Sequence, residues 1–192
     1  MKTLDELAIQ YGTDKSSLNH HYTEIYERHF APLRNESFYL LEIGIGTGAS
    51  LKMWRDYFPR AEIYGIDSNP EIVAAAQTMG FRVCLCNQHI PSDLDLLGRK
   101  CLPQFTIIID DGSHDPSDQF LTFMTLWSTL SPGGWYCIED ICSVYQIPGE
   151  SINARITALA LDLEVTDPEK PKLLSGVHLY HNLTLIKKAG GS

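Results

Sequence analysis

Long hydrophobic runs are missing from this sequence. No apolar stretch reaches the ~18 residues of a membrane-spanning helix, and the opening Met1-Lys2-Thr3-Leu4-Asp5-Glu6 offers no apolar segment for a secretory signal. Positive charge is also scarce. Fifteen Lys and Arg face 24 Asp and Glu, a formal net charge of −9. That balance argues against a nucleic-acid or anionic-membrane surface, which needs a basic footprint. Cysteine is sparse and odd in number: Cys84, Cys86, Cys101, Cys137 and Cys142. The C-x-C spacing of the first two matches no common zinc pattern. All five read as reduced core or near-core thiols, which suits a cytoplasmic protein. Internal repeats and low-complexity stretches are absent, and the small residues Ala189 to Ser192 read as a frayed tail.

What is present is one domain's worth of chain. A polypeptide of 192 residues buries roughly 70% of its unfolded surface and needs no staple to fold. The first 35 residues are polar and helical in character. Leu4, Leu7 and Ala8 share a helical face that Gly12 ends, and a second helix is expected from Tyr22 to Phe30. Short apolar runs then alternate with helical patterns. Strands are expected at 38–43, 62–66, 81–86, 105–109 and 135–138. Helices are expected at 49–57, from Pro70, around 92–97, at 116–130 closed by Pro132-Gly133-Gly134, and at about 151–163. The chain closes with Gly176-Val-His-Leu-Tyr-His and Leu183-Thr-Leu-Ile-Lys around Asn182, a tight antiparallel hairpin. Alternating strands and helices predict a parallel sheet covered on both faces. A terminal antiparallel hairpin separates this α/β, Rossmann-like sheet from the plain dinucleotide-binding type, whose last strand stays parallel. The pattern is that of a class I methyltransferase fold, a seven-stranded sheet ending in the hairpin.

In such sheets ligands bind beyond the carboxyl ends of the strands. The first strand runs into Glu42-Ile43-Gly44-Ile45-Gly46-Thr47-Gly48. Glycines there let a ligand approach the backbone, and the following helix offers free N–H groups. The loose G-x-G-x-x-A pattern also fits a nicotinamide dinucleotide. Glu42, however, would repel a pyrophosphate and suits a positively charged amino-acid group, so S-adenosylmethionine is the favoured cofactor. Asp67 ends the second strand, where an acid accepts ribose hydroxyls. Asn87 and Gln88 follow the third and are placed to read an adenine edge, or simply to form a turn.

The fourth strand ends in Asp110-Asp111-Gly112-Ser113-His114-Asp115, the fifth in Glu139-Asp140. In a parallel sheet with these strands adjacent, three or four carboxylates converge. Two like charges 4 Å apart repel by about 4 kcal/mol at an effective dielectric of 20, so a counter-cation is expected. Oxygen ligands suit Mg²⁺, Mn²⁺ or Ca²⁺. The bland alternative makes Asp110 and Asp115 helix caps. His114, beside these acids, is a natural general base near neutral pH.

Asp-Asp-Gly-Ser-His at 110–114, with Glu-Asp at 139–140 after Pro-Gly-Gly-Trp-Tyr, resembles the metal-dependent sugar O-methyltransferases of antibiotic biosynthesis, the mycinamicin and macrolide-sugar group. Tyr11-Gly12-Thr13-Asp14-Lys15, His21-Tyr22-Thr23, Tyr26, Ser50-Leu51-x-Met53-Trp54 and the terminal hairpin extend the resemblance over the whole chain. The resemblance implies that Asp111, Glu139 and Asp140 hold Mg²⁺ (or Mn²⁺), that His114 is the general base, and that Glu42, Gly44, Ser50, Asp67, Asn87, Gln88 and Asp110 surround the cofactor. Gly46 joins that set from the glycine turn. Larger members of the family carry an additional N-terminal domain. The expected organisation here is a helical segment or lid over 1–35 and a methyltransferase domain over 36–189. His21, Tyr22 and Tyr26 are the candidates for touching substrate, with helix packing as the alternative.

The expected reaction moves a methyl group to a hydroxyl of a small-molecule acceptor, a glycoside by resemblance, in a cytoplasmic homo-oligomer. The competing readings are a phenol or catechol methyltransferase of the same fold, a nicotinamide-dependent oxidoreductase, an iron oxygenase, and a non-catalytic cofactor-binding module.

Overall fold

The computed structural model describes residues 1–99, 103–141, 151–158 and 174–190. Seven strands form a mixed sheet in the order β3-β2-β1-β4-β5-β7-β6. The chain divides into two compact units, 1–85 and 86–192.

The 1–85 unit opens with α1 (Leu4–Tyr11), set by a capping box: Glu6 N–H donates to Thr3 Oγ1 and Thr3 N–H to a Glu6 carboxylate oxygen. Leu4, Leu7 and Ala8 are its buried face, and Gly12, at φ 73°, stops it in the left-handed region. Helix α2 (Tyr22–Phe30) buries Tyr22, Tyr26 and Phe30. Tyr26 meets Trp54 of α3 (Ala49–Tyr57) edge to face, with centroids 5.5 Å apart. Strands β1 (Tyr39–Ile43), β2 (Glu62–Asp67) and β3 (Arg82–Leu85) are parallel, with α4 (Pro70–Thr78) joining the last two. Asn69 caps α4 by accepting from Glu71 N–H, and Pro70 takes the first helical position.

The 86–192 unit carries α5 (Pro91–Arg99), β4 (Phe105–Asp110) and α6 (Pro116–Leu126). Its remaining strands are β5 (Leu130–Glu139), β6 (Leu174–Tyr180) and β7 (Leu183–Lys188). A further helix, α7, begins at residue 152, and residues 159–163, expected to complete it, lie outside the described ones. Cys101 and Cys142 also lie outside. Strand β4 pairs parallel with β5, whereas β7 pairs antiparallel with both β5 and β6. Asn182, left-handed at φ 56°, turns the hairpin. One expectation needs correction. Pro132-Gly133-Gly134 does not end a helix that reaches residue 130. The α-helix stops at Leu126, a single 3-10 turn covers Trp127–Thr129, and the Pro-Gly-Gly segment lies inside β5. There Leu130 pairs with Phe105 and Trp135 with Ile107, so the intervening residues bulge from the ladder, with Gly133 at φ 74°. No described helix is long and apolar enough to cross a membrane.

Candidate functional site

Within the 1–85 unit, the glycine turn and the end of β2 face each other. Gly44, Gly46 and Gly48 all have positive φ, at 78°, 46° and 75°. A chain passing three times through the left-handed region within five residues requires glycine at those points. The turn is tied to β2 by Gly44 N–H donating to the Ile66 carbonyl at 2.9 Å. Asp67 accepts Ile45 N–H at 3.1 Å and Gly46 N–H at 3.3 Å on one oxygen, and Asn69 N–H at 2.9 Å on the other. Because Asn69 caps α4, Asp67 is spared that duty and sits half-buried against the turn.

Glu42 is fully buried, one residue before the end of β1. Its carboxylate accepts the Ser50 hydroxyl at 2.8 Å and lies 3.6 Å from the Lys15 ammonium, which is itself 1% exposed. Lys15 was visible in the sequence only as part of a motif, and its pairing with Glu42 is the contact sequence reasoning missed. A lysine in a polar segment reads as solvated; the fold instead buries it through Thr13, Lys15 and Ser16, all covered. The segment is held by Asp5, which accepts from Ser17 N–H at 2.7 Å, Ser17 Oγ at 2.6 Å and Thr23 Oγ1 at 2.7 Å. Tyr22 and Tyr26, the candidates for substrate contact, are 1% and 0% exposed and pack as core. His21 is exposed and left-handed at φ 60°, so of the three it is the side chain open to a ligand.

Within the 86–192 unit, Asp111, His114 and Asp140 each present one ligand atom, all within 4.8 Å of one another. All three are half-buried, and His114 Nε2 lies 3.8 Å from an Asp140 oxygen. His114 and Asp140 have φ of 59° and 50°. Left-handed backbone costs a non-glycine residue about 1 kcal/mol or more. Of the four such residues among those described, three are His21, His114 and Asp140; the fourth turns the terminal hairpin. Two ionised carboxylates at this separation repel by about 3 kcal/mol at an effective dielectric of 20. His114 Nδ1 is buried and has no hydrogen-bond partner among the described residues. The two carboxylates fit a hard divalent cation, and the imidazole stands beside them. Glu139 is not part of this trio; it is buried at the end of β5, and its carbonyl accepts from Gln119 Nε2 at 3.0 Å.

Asp110 is fully buried at the end of β4. Burial pushes its carboxyl up to about 7, against hydrogen bonds from Gln88, Gly112 N–H and Tyr136 that pull it down. Asp115 caps α6, accepting Ser117 N–H at 2.8 Å, as the bland reading of that residue anticipated. Asn87 Oδ1 accepts His89 N–H at 3.0 Å, a local turn. Gln88 is buried and its amide is held within the protein.

Seven strands with a terminal antiparallel hairpin, a glycine turn after β1 and an acid ending β2 define the class I methyltransferase fold. The comparisons with known proteins carry this further. Over 98% of its length the chain is 33% identical to a tetracenomycin 3'-O-methyltransferase of Streptomyces olivaceus that acts on a 2-methoxy-rhamnosyl intermediate. Over 96% it is 32% identical to the mycinamicin VI 2''-O-methyltransferase of Micromonospora griseorubida. It is 34% identical over 98% of its length to the demethylmacrocin O-methyltransferase of Streptomyces fradiae. The chain spans about half the length of these relatives, 52–54%. The solved structure of MycE with Mg, SAH and mycinamycin VI superposes with a TM-score of 0.83 at 31% identity, covering 98% of this chain and 55% of that one. No family model matches. The chain is thus similar, over nearly all its residues, to one half of the sugar O-methyltransferases of macrolide and tetracenomycin biosynthesis.

Proposed function

We propose that this chain is a Mg²⁺-dependent O-methyltransferase that uses S-adenosylmethionine and acts on a hydroxyl of a glycosylated natural product. The observation that carries the reading is the trio Asp111, His114 and Asp140 at the carboxyl ends of β4 and β5, in a fold shared with MycE, which binds Mg, SAH and mycinamycin VI.

The residues divide the work. Gly44 and Gly46 let the cofactor approach the backbone of the turn, Glu42 with Ser50 supplies the environment for its ammonium, and Asp67 a carboxylate for its ribose. Asn87 and Asp110 are the candidate cofactor contacts of the 86–192 unit. Asp111 and Asp140 hold the cation, with Glu139 behind them. When bound, the cation supplies positive charge that favours loss of the acceptor's hydroxyl proton, and the sulfonium cofactor supplies the methyl group. His114 takes that proton on its imidazole as the new O–CH3 bond forms and the S–CH3 bond breaks. The half-exposed ring is reachable by an acceptor. General bases of this kind contribute about 10²–10⁴ in rate. Residues 1–35 form the helical segment ahead of a methyltransferase domain over 36–189, tied to it by Lys15 and Glu42.

The test is a methyl-transfer assay with S-adenosylmethionine, Mg²⁺ and three acceptors: mycinamicin VI, a rhamnosyl tetracenomycin and catechol. Methylation of a glycoside, lost on chelation, is expected. Turnover of catechol alone would contradict the glycoside assignment, and turnover unaffected by chelation would contradict the metal.

A further inference from the structure

Both N–H donors of the Gln88 amide and its carbonyl oxygen are engaged inside the protein. The side chain is 6% exposed. Its carbonyl oxygen accepts Ser113 N–H at 2.7 Å. Its amide nitrogen donates to Asp110 Oδ1 at 3.2 Å and to Thr122 Oγ1 at 3.2 Å, with the second Asp110 oxygen at 3.4 Å. A primary amide has two N–H donors, and Asp110 and Thr122 use both. The orientation of the amide is fixed by Ser113 N–H, which can only donate and so must face the carbonyl oxygen. Gly112 completes the fit: a Cβ added there would lie 1.7 Å from the Gln88 carbonyl oxygen. Gly112 therefore leaves room for the amide to reach the backbone of the Asp111–His114 turn.

From this we infer that Gln88 is a positioning residue of the metal and base turn. It ties β4 through Asp110, α6 through Thr122 and the turn through Ser113, and so sets where Asp111 and His114 point. A second brace works from the opposite side, since the Ser113 hydroxyl donates to Asp118 at 2.8 Å and Asp118 meets His89 Nδ1 at 2.9 Å. The turn needs such support. His114 is held in the left-handed region, and a ligand set on a loop is only as well ordered as the groups that support it. The inference rests on the proposed metal site and replaces the expected contact of Gln88 with adenine.

The test compares wild type with Gln88→Leu, a substitution of similar size that removes all these hydrogen bonds. Mn²⁺ binding is followed by electron paramagnetic resonance and S-adenosylhomocysteine binding by calorimetry, with thermal unfolding as the control. Outer contacts of this kind are worth about 10–100-fold in metal affinity. The variant is therefore expected to lose about tenfold or more in Mn²⁺ affinity while S-adenosylhomocysteine affinity stays within about twofold. Loss of S-adenosylhomocysteine affinity with Mn²⁺ binding intact would overturn the inference and restore the adenine contact. A lowered melting temperature with both affinities intact would also overturn it, since Gln88 would then be structural only. If Gln88→Leu does not fold, Gly112→Ala displaces the same carbonyl oxygen and should weaken Mn²⁺ in the same selective way; unchanged Mn²⁺ affinity there overturns the inference. Wild type that binds neither probe would remove the functional reading and the inference with it, whereas wild type that binds both isolates the question to Gln88.

Discussion

In the 1–85 unit the carboxylate of Glu42 is wholly covered and faces Lys15 and Ser50, and Asp67 accepts three backbone N–H groups. In the 86–192 unit Asp111 and Asp140 stay half-buried and converge on each other and on His114, with the backbone of two of the three left-handed. The first arrangement balances its charge inside the fold and is built to keep a glycine turn in shape. The second brings two carboxylates within reach of one ion, on backbone that is left-handed at His114 and Asp140. The first set is held in shape by contacts within its own unit, and the second presents its carboxylates and imidazole together.

Breaking the compensated side should have the largest effect. Lys15→Met leaves a buried carboxylate without its ammonium, and removing one member of such a pair costs about 3–5 kcal/mol. Denaturant unfolding should show that loss, and Lys15→Met combined with Glu42→Leu should recover most of it. A loss under ~1 kcal/mol, the range of an exposed pair, would erase the contrast between the units.

On the other side the effect should fall on chemistry. His114→Ala should lower turnover by about 10²–10⁴ and leave S-adenosylhomocysteine affinity unchanged by calorimetry. Wild-type turnover would remove the histidine from the reaction.

Metal should move stability only where the acids are clustered. At a hundred times its dissociation constant, Mg²⁺ should add about 2.7 kcal/mol to wild type in thermal unfolding. Asp140→Gly should abolish that gain. In metal-free buffer the same variant should be more stable by about 0.5–1 kcal/mol, because glycine relieves the left-handed backbone at φ 50°. Lower metal-free stability would show that Asp140 is held there for structural reasons.

The smallest effect is expected at Asp5. Burial raises its carboxyl, but hydrogen bonds from Ser17 and Thr23 and the nearby His21 outweigh that and hold it below its ordinary 3.8. A depressed folded value contributes stability that is present above pH 4 and lost as pH falls through it. Asp5→Asn should therefore cost about 1 kcal/mol near neutral pH, and the difference from wild type should shrink below pH 4. A difference that does not vary with pH would mean the charge of Asp5 is irrelevant.

Elements whose ends are set locally were legible in the sequence. Gly12 ends α1, Pro70 opens α4, and the ranges of α2 and α3 follow from apolar spacing and the Gly48 turn. Pro132-Gly133-Gly134 misled because the same residues that stop a helix also form a bulge, and only pairing with β4 decides between them. The acids at the strand ends were legible by residue type, since position at the end of a buried strand is itself the signal. Their partners were not. Lys15 meets Glu42, and Gln88 meets Ser113, Asp110 and Thr122, across chain separations that no local pattern encodes. The same non-local contacts place Tyr22 and Tyr26 in the core, leaving His21 as the exposed one of the three candidates.

The most direct test of the methyltransferase reading is calorimetric titration of S-adenosylhomocysteine into metal-stripped protein, repeated with Mg²⁺ and with Asp111→Asn. Saturable S-adenosylhomocysteine binding is expected, together with a separate Mg²⁺ heat that disappears in Asp111→Asn. Absence of S-adenosylhomocysteine binding both with and without Mg²⁺ would contradict the account at its centre.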